Sequence, residues 1–144
     1  MTLAALTPRE ASIFACVCDT VVAPEPVLPA VRDTDAVRFF DFWLAHSPRL
    51  NRAGLRSLLY LAEMGPRALG FRARLRSLPE EERARLLDAA EHARSPHLRQ
   101  LVHVIKEVAL LSYYGDDGVM LRLGYDADAN VARGRELRVL ERRS

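Results

Sequence analysis

The sequence predicts an all-α fold: a compact, irregular bundle of five to seven helices followed by a C-terminal arm. Three observations carry this prediction. Apolar residues recur at three- and four-residue spacing along almost every segment. Prolines stand at the junctions between those segments, where a helix stops or starts. No segment alternates apolar and polar residues over the length of a strand with a hairpin turn behind it. With 144 residues, 49% of them hydrophobic, the chain is long enough for one domain that buries roughly two thirds of its unfolded surface. That domain is placed at residues 1–126 and the arm at 127–144.

The first helix opens on "LTPREASIFACVCDTVVAP", with Thr7 as N-cap, Pro8 in the first turn and Glu10 completing a T-x-x-E capping box. Ile13, Cys16, Val17, Thr20 and Val21 then form its inner stripe. Pro24, Pro26 and Pro29 forbid helix in the connector that follows, which is expected to cross one end of the fold. The second helix is predicted from Asp33 or Thr34, with Val37, Phe40, Trp43 and Leu44 on one face and Phe39 and Phe42 on another. The third is predicted to start at Ser47 and Pro48 and to end at Gly65, before Pro66. A short fourth helix is expected over residues 67–76, weakened by Gly70. "SLPE", Ser77 to Glu80, reads as a second capping box that opens a charged helix burying Leu86, Leu87 and Ala90. Ser95 and Pro96 open the longest helix, whose stripe of Leu98, Leu101, Val102, Ile105, Val108 and Ala109, widened by Val104 and Leu111, predicts a central position. The closing "ARGRELRVLERRS" mixes charge with few apolar residues and reads as arm.

Composition excludes several function classes. The 21 basic and 19 acidic residues leave a net charge of +2, too small a field to draw nucleic acid or anionic lipid over a distance, and no compact helix-turn-helix pattern is present. All basic residues but Lys106 are arginine. No run of about 18 apolar residues exists to span a membrane. Ahead of the first helix there is no basic segment, and Arg9 and Glu10 interrupt the apolar run before it could serve as a secretory core, so a cytoplasmic location is expected. Cys16 and Cys18, two apart on a helix, point to nearly opposite sides and cannot chelate one ion together; both are expected to be reduced and buried.

Catalysis or metal binding needs donors that converge, and the spacing supplies none. His46, His92, His97 and His103 fit neither H-E-x-x-H nor paired E-x-x-H motifs, and His103 with Glu107 reads as an exposed i, i+4 pair. The glycines of "GDDGV" and "GYDADANVARG" lack the arrangement that cradles a phosphate. "DADAN" resembles the start of a calcium loop, but Val131 and Leu137 occupy the places of its glycine and glutamate. No catalytic, cofactor-binding or metal residue is therefore assigned. An excess of aromatic groups remains, in "FFDFW" and around "SYYGDDGVMLRLGYD". Tyrosine near a helix end suits a protein interface, so Trp43, Tyr113, Tyr114 and Tyr125 are the candidate partner-contacting residues.

The order of these features resembles the gluconate 2-dehydrogenase subunit 3 family. At one end lie the leucine-threonine start and Asp19, Thr20, Val21, Val22, Ala23, Pro24, similar to a D-x-[IVL]-[IVL]-P motif with one alanine interposed. At the other, "IKEVALLSYYGDDGVMLRLGYD" is similar to that family's close: a tyrosine pair, a polar turn, a small apolar helix, then Gly-Tyr. The likeness covers residues 6 to 126 and is specific only at the two ends. It implies a small non-catalytic partner of a flavin-dependent oxidoreductase of the glucose-methanol-choline type, with FAD in the partner subunit and an alcohol, sugar or sterol-like substrate. Many members carry a twin-arginine export signal; "MTLAA" in its place again points to the cytoplasm. The alternative kept beside it is a free-standing bundle with an apolar ligand cavity enclosed by Phe39, Phe42, Trp43 and Tyr114.

Overall fold

A computed structural model describes residues 3–22 and 26–141. Among these the chain is all-α, with seven α-helices, three short 3-10 turns and no strand. In chain order the helices are α1 (Pro8–Val22), α2 (Ala36–His46), α3 (Arg49–Met64), α4 (Glu80–Glu91), α5 (Pro96–Tyr114), α6 (Asp117–Arg122) and α7 (Ala127–Glu141). The 3-10 turns lie at Val31–Asp33, Gly65–Leu69 and Leu75–Ser77.

α1 and α5 form the central pair, with α2, α3 and α4 around them. Where they meet, the rings of Phe14 and Phe40 stack at 4.0 Å, and Ile13, Leu44, Leu59, Val108 and Tyr113 close the core around them. Stacked aromatic pairs contribute about 0.5–1.5 kcal/mol beyond the area they bury, which fixes α2 against α1.

The capping box of α1 forms as its sequence predicts. Thr7 donates its backbone N–H and its hydroxyl to Glu10 Oε2, at 2.8 and 2.9 Å, and Glu10 N–H donates back to Thr7 Oγ1 at 3.2 Å. Ser95 likewise caps α5 through Leu98 N–H at 3.3 Å. Three other starts differ. α2 begins at Ala36, two or three residues later than expected, because Val31–Asp33 forms its own 3-10 turn, closed by the Thr34 hydroxyl on Val31 C=O at 2.8 Å. Ser47 ends α2 rather than opening α3: its hydroxyl donates to Trp43 C=O at 2.9 Å, and Pro48 takes the N-cap place. Ser77 is likewise held in a 3-10 turn, through Arg74 C=O, so Pro79 precedes α4.

The expected fourth helix over residues 67–76 is absent. Gly70 adopts φ +89°, the left-handed region open to glycine, and the Phe71 amide bonds back to Pro66 C=O at 2.9 Å. The chain therefore runs through two separate 3-10 turns, and the second is clamped by Glu63. This buried carboxylate receives Arg76 Nε and Nη2, both at 3.0 Å, and the Arg76 backbone amide at 3.4 Å, while Arg76 Nη1 reaches Ser12 Oγ on α1. The first part of the proline connector, Ala23 to Glu25 with Pro24 of the opening motif, lies outside the described residues.

Candidate functional site

The segment before α1 is built into the fold by charge. Asp41 of α2, in the middle of "FFDFW", accepts three consecutive backbone amides: Ala4 at 2.7 Å on Oδ2, and Ala5 at 2.9 Å and Leu6 at 2.7 Å on Oδ1. Ala5 C=O in turn accepts from Arg56 Nη2, and Arg56 Nε lies 3.5 Å from the buried Glu10 carboxylate. Burial alone would raise the Asp41 carboxyl; the three amides outweigh it and hold the group below the ordinary value.

The closing motif does the same at the other end of the chain. Tyr113 is fully buried and donates its hydroxyl to Pro29 C=O at 2.7 Å; burial, then Tyr114 and Asp116, push its phenol up. Asp116 caps α6 by accepting Val119 N–H at 3.0 Å, and its second oxygen accepts the Asp35 amide at 2.8 Å, which joins the starts of α6 and α2. α6 ends with Gly124 N–H on Leu121 C=O and Tyr125 N–H on Met120 C=O, and Arg122 Nη1 reaches back to Val27 C=O at 3.1 Å. "YYGDDG" thus stops α5 and ties it to α2 and to the proline connector.

The four candidate partner residues separate accordingly. Tyr113 does not reach the surface; its place in the inner stripe, four residues after Ala109 and eight after Ile105, is the periodic signal that assigns it to the core. Trp43 and Tyr114 are exposed, and Tyr125 is exposed beyond α6. On α2, Phe39 and Trp43 share a face with Phe42, which is 63% exposed and packs against His46. On α5, Leu111 is 56% exposed and stands one turn before Gly115, whose missing Cβ would lie 4.0 Å from Phe39 Cε2. The outer face of α2 therefore meets the end of α5, and together they present an aromatic and aliphatic surface to solvent. A surface of this kind marks a binding face more often than scattered single residues do.

A cavity of about 360 Å³ opens elsewhere, between α3 and the first half of α5. Its wall comes from α1, α3, the Gly65–Leu69 turn, α4 and α5, and contains none of Phe39, Phe42, Trp43 or Tyr114. The aromatic enclosure expected from sequence is thus not where the space lies. The cavity also explains α5: Ile105, Val108 and Ala109 are buried, whereas Leu98 and Val102 are half-buried and Leu101 is 40% exposed, so only the second half of the helix is central.

Among the described residues no three His, Cys, Asp or Glu side chains converge as a metal site. His103 and Glu107 form the exposed i, i+4 pair at 3.1 Å. Both thiols are free. Cys18 is buried, and burial followed by the charge of Asp19 pushes its thiol up to about 12. Cys16 is only half-buried and sits 3.1 Å from Arg83 Nη1, so the two cysteines differ where the sequence suggested two equal core residues. No described helix is long and apolar enough to cross a membrane.

No protein-family model, curated protein sequence or solved structure matches the chain.

Proposed function

We propose that the chain is a non-catalytic accessory subunit that binds and stabilises a flavin-dependent oxidoreductase of the glucose-methanol-choline type, acting on an alcohol, sugar or sterol-like substrate. The observation that carries this reading is the surface where α2 meets the end of α5, with Phe39, Phe42, Trp43, Leu111 and Tyr114 exposed together. The resemblance of the opening and closing motifs to gluconate 2-dehydrogenase subunit 3 supplies the partner class, and the FAD belongs to that partner. The closing motif orients this surface: Tyr113 and Asp116 are committed to internal bonds, which leaves Tyr114 on a rigid helix end facing outward. Rigid aromatic side chains bind at low entropic cost, and such anchors contribute about 2 kcal/mol or more each.

The test is co-expression with a flavin-dependent oxidoreductase of the glucose-methanol-choline type. Wild-type chain is expected to co-purify, and Phe42→Ala and Tyr114→Ala are each expected to weaken the complex by roughly thirtyfold while moving the melting temperature of the isolated subunit by only a few degrees. Variants that fold and bind at full strength would move docking to another face. A wild-type chain that does not bind the flavoprotein would remove the reading.

A further inference from the structure

We propose that the cavity between α3 and α5 binds the hydrocarbon chain of an aliphatic molecule, with the polar head left outside. The inference stands on the cavity alone and is independent of the partner assigned above. Its wall is built only from aliphatic side chains, glycine, proline and a single threonine, without an aromatic ring on which a planar ligand could stack. Thr20 is the one polar residue, and its hydroxyl is already committed to Cys16 C=O at 2.7 Å. A flavin, nucleotide or sugar would find no free donor or acceptor and would lose its hydration without compensation. An alkyl chain loses nothing.

Volume sets the length. A cavity of about 150 Å³ accommodates one benzene ring, so the 360 Å³ available here corresponds to a chain of roughly 10–14 carbons. A four-ring sterol skeleton exceeds that. The volume also lies in the range of about 300–1,000 Å³ that small-molecule sites occupy. The cavity is deep rather than flat, because Val17, Leu58 and Leu86 on its floor belong to the buried core. Depth favours a slender chain over a protein segment laid across a surface. Small residues make the space: Ala62 on α3, Gly65 and Ala68 in the turn, and Ala90 on α4 stand where larger side chains would fill it. Leu61, 55% exposed, and Leu101 form the rim through which a chain would enter.

The experiment titrates the purified, delipidated full chain with 1-butanol, 1-octanol, 1-dodecanol and sodium dodecanoate. Thermal unfolding is followed together with displacement of a dansyl-labelled undecanoic acid. The expected result is saturable binding that tightens with chain length and levels off near dodecyl, accompanied by a rise in melting temperature of several degrees. Dodecanol and dodecanoate binding alike is expected of a site that reads the chain alone. Ala62→Phe, which places a ring in the space, should weaken the fluorescent probe at least tenfold while leaving the helical circular dichroism unchanged. Should that variant fail to fold, Val102→Phe, from the opposite wall, makes the same test. Affinity independent of chain length, or undiminished in a folded filled variant, would overturn the proposal. So would a wild-type chain that binds no probe but loses its flavoprotein on Leu61→Asp or Leu101→Asp, since the cavity would then be a seat for a partner's side chains.

Discussion

At the scale of single residues, Asp41 anchors the segment before α1. Its carboxylate accepts the amides of Ala4, Ala5 and Leu6, all within 2.9 Å, and so fixes the segment before α1 against α2. Hydrogen bonds to a charged acceptor contribute about 1.5–3 kcal/mol each, and a buried donor left without one costs a similar amount. Asp41→Asn keeps the shape but turns an NH2 group toward amide donors. It is expected to cost about 3 kcal/mol and to lower the melting temperature by roughly 10 °C. The pH dependence has a definite sign. The folded carboxyl lies below its ordinary value, so its contribution is fully present above the unfolded value of about 3.9 and is lost as the pH falls through the lower folded value. Melting temperatures of wild type and Asp41→Asn, measured from pH 7 down to pH 2.5, should converge on the acid side. A constant gap would mean that the carboxylate is not the source of the stability.

At the scale of elements, what the sequence made legible is the helices whose ends carry their own chemistry. The capping box at Thr7 and the serine-proline start at Ser95 are local devices, and both hold. Ser47 and Ser77 present the same letters, yet each spends its bonding groups on the preceding turn, a choice decided by the path of the chain and not by the four residues themselves. The cavity was illegible for a related reason. Ala62, Gly65, Ala68 and Ala90 are ordinary residues in their own segments, and only the packing of α3, the Gly65–Leu69 turn and α4 lines them up. The aromatic surface was half legible: periodicity separates Phe40 from Phe42, and it also separates Tyr113 from Tyr114 once Ile105 and Ala109 fix the inner stripe. One position at the end of α5 shows how tight that junction is. A Cβ on Gly115 would come 2.8 Å from Leu111 C=O, a backbone atom that cannot swing aside, with Phe39 on the same side. Gly115→Ala is therefore expected to destabilise by about 1–3 kcal/mol, in the manner of an overpacked core, and to shift the backbone amide signals of residues 111–117 and of Phe39 in a nitrogen-proton NMR spectrum. An alanine variant as stable as wild type, with those signals unmoved, would show that the junction has slack.

At the scale of the whole molecule, the bundle is held by ties that run between distant parts of the sequence, the last of which, among the described residues, comes from Arg122. The segment from Leu3 to Thr7 is bound to α2 and α3, Arg76 links α3 to α1, Lys106 pairs with Glu91 between α5 and α4, and Arg122 reaches Val27. Among the described residues, the bonds of α7 are made at its own start: Asp126 Oδ1 accepts Ala129 N–H at 2.9 Å and Asp126 C=O accepts Asn130 N–H at 3.1 Å. From Asp128 to Glu136 the helix is exposed except at Gly134, so this stretch buries little that the bundle would miss. An isolated helix of this length is marginal in water, and most helical stability comes from packing. Two truncations are therefore expected to differ sharply. Removal of residues 127–144 should change the melting temperature by no more than a few degrees, whereas removal of residues 1–6, which exposes the Leu6 site and leaves Asp41 and Arg56 without their backbone partners, should lower it by at least 10 °C. Differential scanning calorimetry of the two proteins decides it. If loss of the arm destabilises as much as loss of the first six residues, α7 packs on the bundle in solution. If the arm can be removed without thermal cost but the flavoprotein then binds more weakly, α7 belongs to the docking surface, and the exposure of residues 128–136 in the isolated chain is that of a face held for its partner.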